Sequence, residues 1–176
     1  MSYIEFLKFC LDNNKDFPVS ANSINWRKML VWAEHQAIIG VVFGGIENTK
    51  RSMIDISFDD LMEWIGKAQV IENQNRKLNK KCAEVVKKYK ESGMDILVLK
   101  GQGNALLYPN ALLRTPGDID ILVGGIDRDS LTNYVRTNKS ITGHHYHHVE
   151  YVEDGLPIEV HFIPCSMNNP LFHHRL

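Results

Sequence analysis

Residues 94–123 read MDILVLKGQGNALLYPNALLRTPGDIDILV, and the reading of this stretch decides the fold. Two short apolar runs, one from Met94 that ends at Lys100-Gly101 and one over 118–123 opening with Asp-Ile-Asp, are rich in Ile, Leu and Val, the pattern of buried strands rather than helices. Between them lie Lys100-Gly101-Gln102-Gly103, a short segment that suits a helix, and a loop punctuated by Pro109, Pro116 and Gly117. Side chains on a strand alternate between faces, so Asp118 and Asp120 share one. At a rise of about 3.3 Å per residue their backbones stand roughly 6–7 Å apart, close enough for both carboxylates to reach one cation. Two anions opening an apolar strand are costly without a counter-charge, and a divalent metal ion is the simplest one.

Upstream the texture is helical. Residues 2–13 carry Ile4, Leu7, Phe9 and Leu11 among polar neighbours, and 14–25 is polar, with Ser20 and Asn22 as candidate helix caps. Residues 26–40 repeat apolar side chains at helical spacing (Met29, Leu30, Ala33, Ala37, Ile38) and close at Gly40. The pair Gly44-Gly45 leaves 41–46 open between helix and turn. The longest helix candidate is 58–91, ended by Ser92-Gly93; its Lys-rich half reads as a solvated face rather than a phosphate-binding stripe. Downstream, 127–138 reads as a helix capped by Asp127, and Asp154-Gly155 between two alternating runs reads as a tight hairpin turn. The expectation is an α+β protein, with an N-terminal helical region over 1–92 packed against a small mixed β-sheet core over 93–176.

Size and composition narrow the function classes. At 176 residues there is room for one substantial domain or a small one with a helical appendage. A formal net charge of −1 argues against long nucleic acid or an anionic membrane as partner, yet is compatible with a small nucleotide. The 3 cysteines (Cys10, Cys82, Cys165) are odd in number, far apart and without CxxC pairing, which points to free thiols in a reducing compartment. No apolar signal core and no run long enough for a bilayer is present, so the expected location is cytoplasmic. Oligomeric state is not legible.

Aspartate pairs at this spacing are common. Asp127-Arg128-Asp129 is another, at a predicted helix start where acids are favoured electrostatically. Asp118 and Asp120 are set apart by their strand, by Lys100-Gly101 closing the strand before it, and by a third acid, Glu159, in the middle of IEVHF. Glu159 reads as a metal ligand, with pairing to Lys100 or Arg114 as the structural alternative. Three strand-borne carboxylates suit two Mg²⁺ ions, with Mn²⁺ possible, bridged by a shared Asp and clamping the attacking and leaving oxygens of a displacement at phosphorus.

With Lys-Gly at 100–101, Tyr-Pro at 108–109, Arg114, Gly-Asp-Ile-Asp at 117–120 and Glu-Val-His-Phe at 159–162, the region 94–163 resembles the uncharacterised nucleotidyltransferase family of the DNA polymerase β-like superfamily. The resemblance implies a mixed sheet flanked by helices and transfer of an NMP group from an NTP to an acceptor hydroxyl. It implies Asp118, Asp120 and Glu159 as catalytic metal ligands, and Lys100, Gly101, Gly103 and Arg114 as contacts to the triphosphate. Two features depart from the pattern. The turn Lys-Gly-Gln-Gly lacks the Ser usual in the superfamily, and the chain stops at Leu176, earlier after the third acid than its relatives, as a truncated core would. These departures keep open a catalytically inactive nucleotide-binding or antitoxin-like interaction protein.

Seven of the 8 histidines fall in the C-terminal third. If 144–148 is a strand, His145 and His147 share a face, as do His144 and His148, which allows a transition-metal site; a polar loop leading into a strand is the plainer reading. His161, beside Glu159 on one face, is expected to contact substrate or support a metal ligand.

Overall fold

Helix formation begins where the sequence supplies caps. The computed structural model describes residues 3–12, 17–18 and 23–164, so Ser20, Asn22, Cys165, His173 and His174 lie outside the described residues. Asn25 caps the helix α2 (Trp26–His35), its side chain accepting from Lys28 N at 3.0 Å. Trp26, Met29, Leu30 and Ala33 form the buried stripe of α2, and Phe6 and Cys10 that of α1 (Tyr3–Leu11). α2 does not run on to Gly40 as its apolar period suggests. Ala37 takes a positive φ of 55°, and Ile38 N and Ala37 N bond back to Ala33 O and Glu34 O at 2.9 and 3.1 Å. That is the hydrogen-bond signature of a left-handed helix end. The chain then restarts as α3 (Ile39–Glu47), so Gly40 and the Gly44-Gly45 pair lie inside a helix.

Such a glycine-rich helix has poor intrinsic propensity. Close packing makes up the difference. A Cβ on Gly40 would stand 1.9 Å from the carbonyl oxygen of Leu113, and one on Gly45 would stand 2.2 Å from Cys10 Sγ.

The described residues form six α-helices and one sheet. They pack as two compact units, 1–77 with 105–116, and 78–104 with 117–176. The helix α4 (Phe58–Glu91) runs through both. It starts at Ser57, whose hydroxyl accepts from Asp60 N at 3.1 Å. Its end is a left-handed turn at Gly93 (φ 81°), with Met94 N bonded to Tyr89 O at 3.2 Å. Lys77, Lys80, Lys87 and Lys90 are exposed and Lys88 is half-buried, as suits a solvated face, whereas Lys81 is largely covered and paired with Glu153 and Asp154 of the hairpin. In the first unit the buried Asn75 donates to the carbonyls of Leu112 and Arg114 at 2.8 and 2.6 Å and pins that loop.

The second unit holds β1 (Asp95–Val98), the short α5 (Lys100–Ala105, whose last residue falls in the first unit), β2 (Ile119–Gly124), α6 (Arg128–Asn138), β3 (Ile141–His144), β4 (His148–Glu153) and β5 (Leu156–His161). Strand order is β1-β2-β5-β4-β3, with β2 and β5 parallel and the other neighbours antiparallel. Asp127 caps α6 through hydrogen bonds from Asp129 N and Ser130 N. Asp154 and Gly155 turn the β4–β5 hairpin at φ 53° and 76°. One sheet face (Ile119, Ile121, Val123, Ile158, Val160, Val149, Tyr151) packs with Leu78, Cys82, Val85 and Tyr89 of α4 and Leu131 and Val135 of α6. The opposite face carries Asp120, Glu159, His161, His148 and Glu150 beside Leu97, Leu122 and Val152. No described helix is long and apolar enough to cross a membrane.

Candidate active site

On that opposite face three carboxylates stand side by side. The parallel register sets Asp120 opposite Glu159, and the hairpin register sets Glu159 opposite Glu150. Two residues further along the strands, His161 lies opposite both Leu122 and His148. Like charges directly across a sheet repel, so the arrangement needs donors between them.

It has them. Lys100 Nζ donates to Asp120 Oδ1 at 2.7 Å and lies 3.6 Å from Glu159 Oε2. His161 Nε2 sits 3.0 Å from Asp120 Oδ1 and 3.1 Å from Glu159 Oε2. Glu150 Oε1 is 2.9 Å from His148 Nε2 and 3.1 Å from His145 Nε2. Gly143 on β3 makes room for this last group, since a Cβ there would meet Glu150 Oε2 at 2.7 Å.

Burial alone would push the carboxyl of Asp120 up, but the hydrogen bonds from His161 and Lys100 outweigh it and hold it well below the usual carboxylate range. Glu159 goes the other way. Burial, the shared hydrogen bond with Asp120 and the neighbouring charges of Asp120 and Asp118 raise it. Burial opposes the charge on Lys100, yet Asp120, Glu159 and Asp118 together raise it. Burial and the adjacent His148 and His161 lower His147.

Asp118 is half-buried just before β2 and acts on Lys100 and Glu159 through its charge. Lys100 is at the start of α5 rather than on the strand, with a φ of 37° that L-residues rarely adopt. Such strain is often found at functional sites. Its ammonium pairs with the acids instead of standing free. Gly101 and Gly103 lie in α5, not in an open turn, and neither has a positive φ. Gly103 is needed for a close approach, since a Cβ there would meet Val98 O at 3.0 Å. Arg114 belongs to the first unit, where its guanidinium donates to Thr115 O at 3.1 Å.

The histidines are not strung along one strand. β3 ends at His144 and β4 begins at His148, so 145–147 is a turn. Sequence reading named His148 only as a candidate transition-metal ligand and missed Glu150 as a member of the site. The signal was present: with Asp154-Gly155 as a two-residue turn, residues whose numbers sum to 309 are paired, which places HVE (148–150) against EVH (159–161).

One oxygen each of Asp120 and Glu159 and one nitrogen of His161 lie within 4.8 Å of one another. The two carboxylates fit a hard divalent cation, with Lys100 swinging out to solvent, to which it is already 52% exposed. The imidazole is the odd member of that set, being better suited to softer metals.

Because the fold disfavours the ionised form of Glu159, Glu159→Gln is expected to raise the melting temperature at pH 7 by roughly 2–4 °C. For an acid raised in the folded state, the protonated form is the stable one. The gain should therefore shrink as pH falls toward the ordinary glutamate value of 4.5. Circular dichroism melts across this range check it; a lower melting temperature at pH 7 would contradict the assignment.

A family model described as an uncharacterised nucleotidyltransferase matches residues 22–176. No curated protein and no solved structure matches.

Proposed function

We propose, from the premise that this chain belongs to the uncharacterised nucleotidyltransferase family, that it moves NMP from an NTP to an acceptor hydroxyl with release of pyrophosphate, using Mg²⁺ or Mn²⁺ held by Asp118, Asp120 and Glu159. The observation that carries this is the β2–β5 register, which sets Asp120 beside Glu159 on one sheet face. Divalent ions bound there supply charge stabilisation to the attacking and leaving oxygens at phosphorus.

The chain's own residues prepare the site. Asp120 stays ionised at physiological pH because His161 and Lys100 donate to it. Glu159 carries the charge the fold disfavours, so a cation arriving there relieves an existing cost. Lys100, about half exposed, would be free to pair with triphosphate oxygens were a divalent cation held by the two carboxylates. Gly101 and Gly103, next to Lys100 in α5, are the proposed further contacts to the triphosphate. Buried free thiols at Cys10 and Cys82 support a cytoplasmic setting.

A second reading rests on one observation. The Lys100 ammonium gives Asp120 and Glu159 a counter-charge from within the chain, as suits a nucleotide-binding or antitoxin-like protein with no transfer activity. Incubation with each NTP labelled at the α-phosphate, Mg²⁺ and a cell extract separates the two. A labelled acceptor with matching pyrophosphate supports transfer. NTP binding with no pyrophosphate supports the second reading, and no NTP binding with or without Mg²⁺ removes both.

A further inference from the structure

We propose that His147, His148 and His161 form a transition-metal site of the Zn²⁺ class, adjacent to the acid pair and joined to it through His161. One ring nitrogen from each of the three lies within 4.8 Å of the other two. The rings cluster, with centroids 4.3 Å apart for His147–His148, 5.0 Å for His148–His161 and 5.5 Å for His147–His161. In a tetrahedral zinc site with Zn–N near 2.05 Å, ligand nitrogens stand about 3.3 Å apart, so small ring rotations close the gap.

The hydrogen bonds already present say which nitrogens would ligate. Nε2 of His148 is held by Glu150 and Nε2 of His161 by Asp120 and Glu159. The other nitrogen of each ring, Nδ1, is buried and has no hydrogen-bond partner among the described residues, His148 Nδ1 being 3.7 Å from Glu159 Oε2. Both residues are almost fully buried, with His161 at 0% exposure. Two buried imidazole nitrogens without partners are unusual, because buried polar groups are nearly always satisfied. In each ring one nitrogen is held by a carboxylate and the other is left without a partner, and a carboxylate on the second nitrogen is what fixes the tautomer and orientation of a metal-bound histidine.

The turn that carries His147 is tied to the sheet. His145 N bonds to His148 O at 2.8 Å, and Phe162 N bonds to His147 O at 2.9 Å. Three neutral nitrogens prefer Zn²⁺ and its neighbours over Mg²⁺, and three protein ligands leave a fourth position for water or an exogenous group. A rival trio, His145, His148 and Glu150, lies within the same distance, but its short contacts are ordinary hydrogen bonds already made.

The site stands independently of the nucleotidyl-transfer reading, and its test does not use activity. The full chain, stripped with a chelator, is titrated with Zn²⁺ in millimolar Mg²⁺, against a chromogenic competitor, and with Co²⁺ while recording visible absorption. The expected result is one Zn²⁺ per chain and a tetrahedral Co²⁺ spectrum. His147→Ala, in a partly exposed turn, should weaken Zn²⁺ binding at least as much as loss of an orienting partner does, and Glu150→Gln should weaken it by about 10–100-fold. His145→Ala should leave it unchanged. Absence of Zn²⁺ binding by the folded chain overturns the site, as does loss of binding in His145→Ala with retention in His147→Ala. Binding abolished by Asp118→Asn but unaffected by His147→Ala would assign the metal to the acids and likewise end the proposal.

Discussion

Asp120→Asn is expected to reduce nucleotidyl transfer by roughly 10³-fold or more while the protein remains folded. The side chain of Asp120 is 1% exposed, and its Oδ1 is shared by Lys100 and His161. Asparagine keeps the shape and the acceptor oxygen but removes the negative charge on which cation binding depends. Lys100 keeps access to water when its partner is neutralised, so no stranded buried cation results. The stability loss should thus stay near 1–2 kcal/mol, the worth of weakened charged hydrogen bonds.

That loss carries a pH signature. Asp120 is depressed in the folded state, so its contribution is complete above the ordinary aspartate value of 3.8 and fades as pH falls below it. Wild type and Asp120→Asn should differ in stability at pH 7 and converge in strong acid. Calorimetric NTP binding with Mg²⁺, turnover and pH-dependent melts test the three parts. A folded Asp120→Asn protein that turns over within tenfold of wild type would show that these acids do not run the reaction.

The largest stability effect should come from Gly40→Ala, far from the acids in sequence. The new Cβ would fall 1.9 Å from Leu113 O, 2.7 Å from Leu113 C and 3.0 Å from Leu113 Cα. These are backbone atoms, which no side-chain rotation moves aside, and the loop carrying them is pinned by Asn75 through Leu112 O and Arg114 O. A loss of about 3 kcal/mol or more is expected, which lowers the melting temperature by roughly 6–12 °C for a chain of this size. Gly66→Ala is the control. Gly66 lies inside α4, and a Cβ there would meet nothing within 4 Å, so helix propensity should make this change stabilising by up to about 1 kcal/mol. Equal effects from the two substitutions would mean that the approach of α3 to residues 111–113 is looser than described.

Local chemistry was enough for much of the architecture. The Val/Ile-rich runs, the Asp127 cap, the Gly93 stop and the Asp154-Gly155 turn depend on a few neighbouring residues each, so periodicity and turn preference suffice to read them. Which residues share a face within one strand, such as Glu159 and His161, was legible too, but the parallel pairing of β2 with β5 that sets Asp120 opposite Glu159 was not. Other features depend on residues far along the chain. Burial against Cys10 and Leu113 makes a helix of 39–47 in spite of its glycines. The return of 105–116 to the first unit rests on bonds such as those from Asn75. Lys100 reads as a free phosphate lysine until α5 twists it to a positive φ and brings its ammonium onto Asp120. The histidines gain meaning only when the hairpin and the 145–147 turn set His147 and His148 against His161. Residue type and short-range periodicity determined which elements form and which way their side chains face; long-range packing alone decided which charged groups neutralise one another and which buried nitrogens are left without partners.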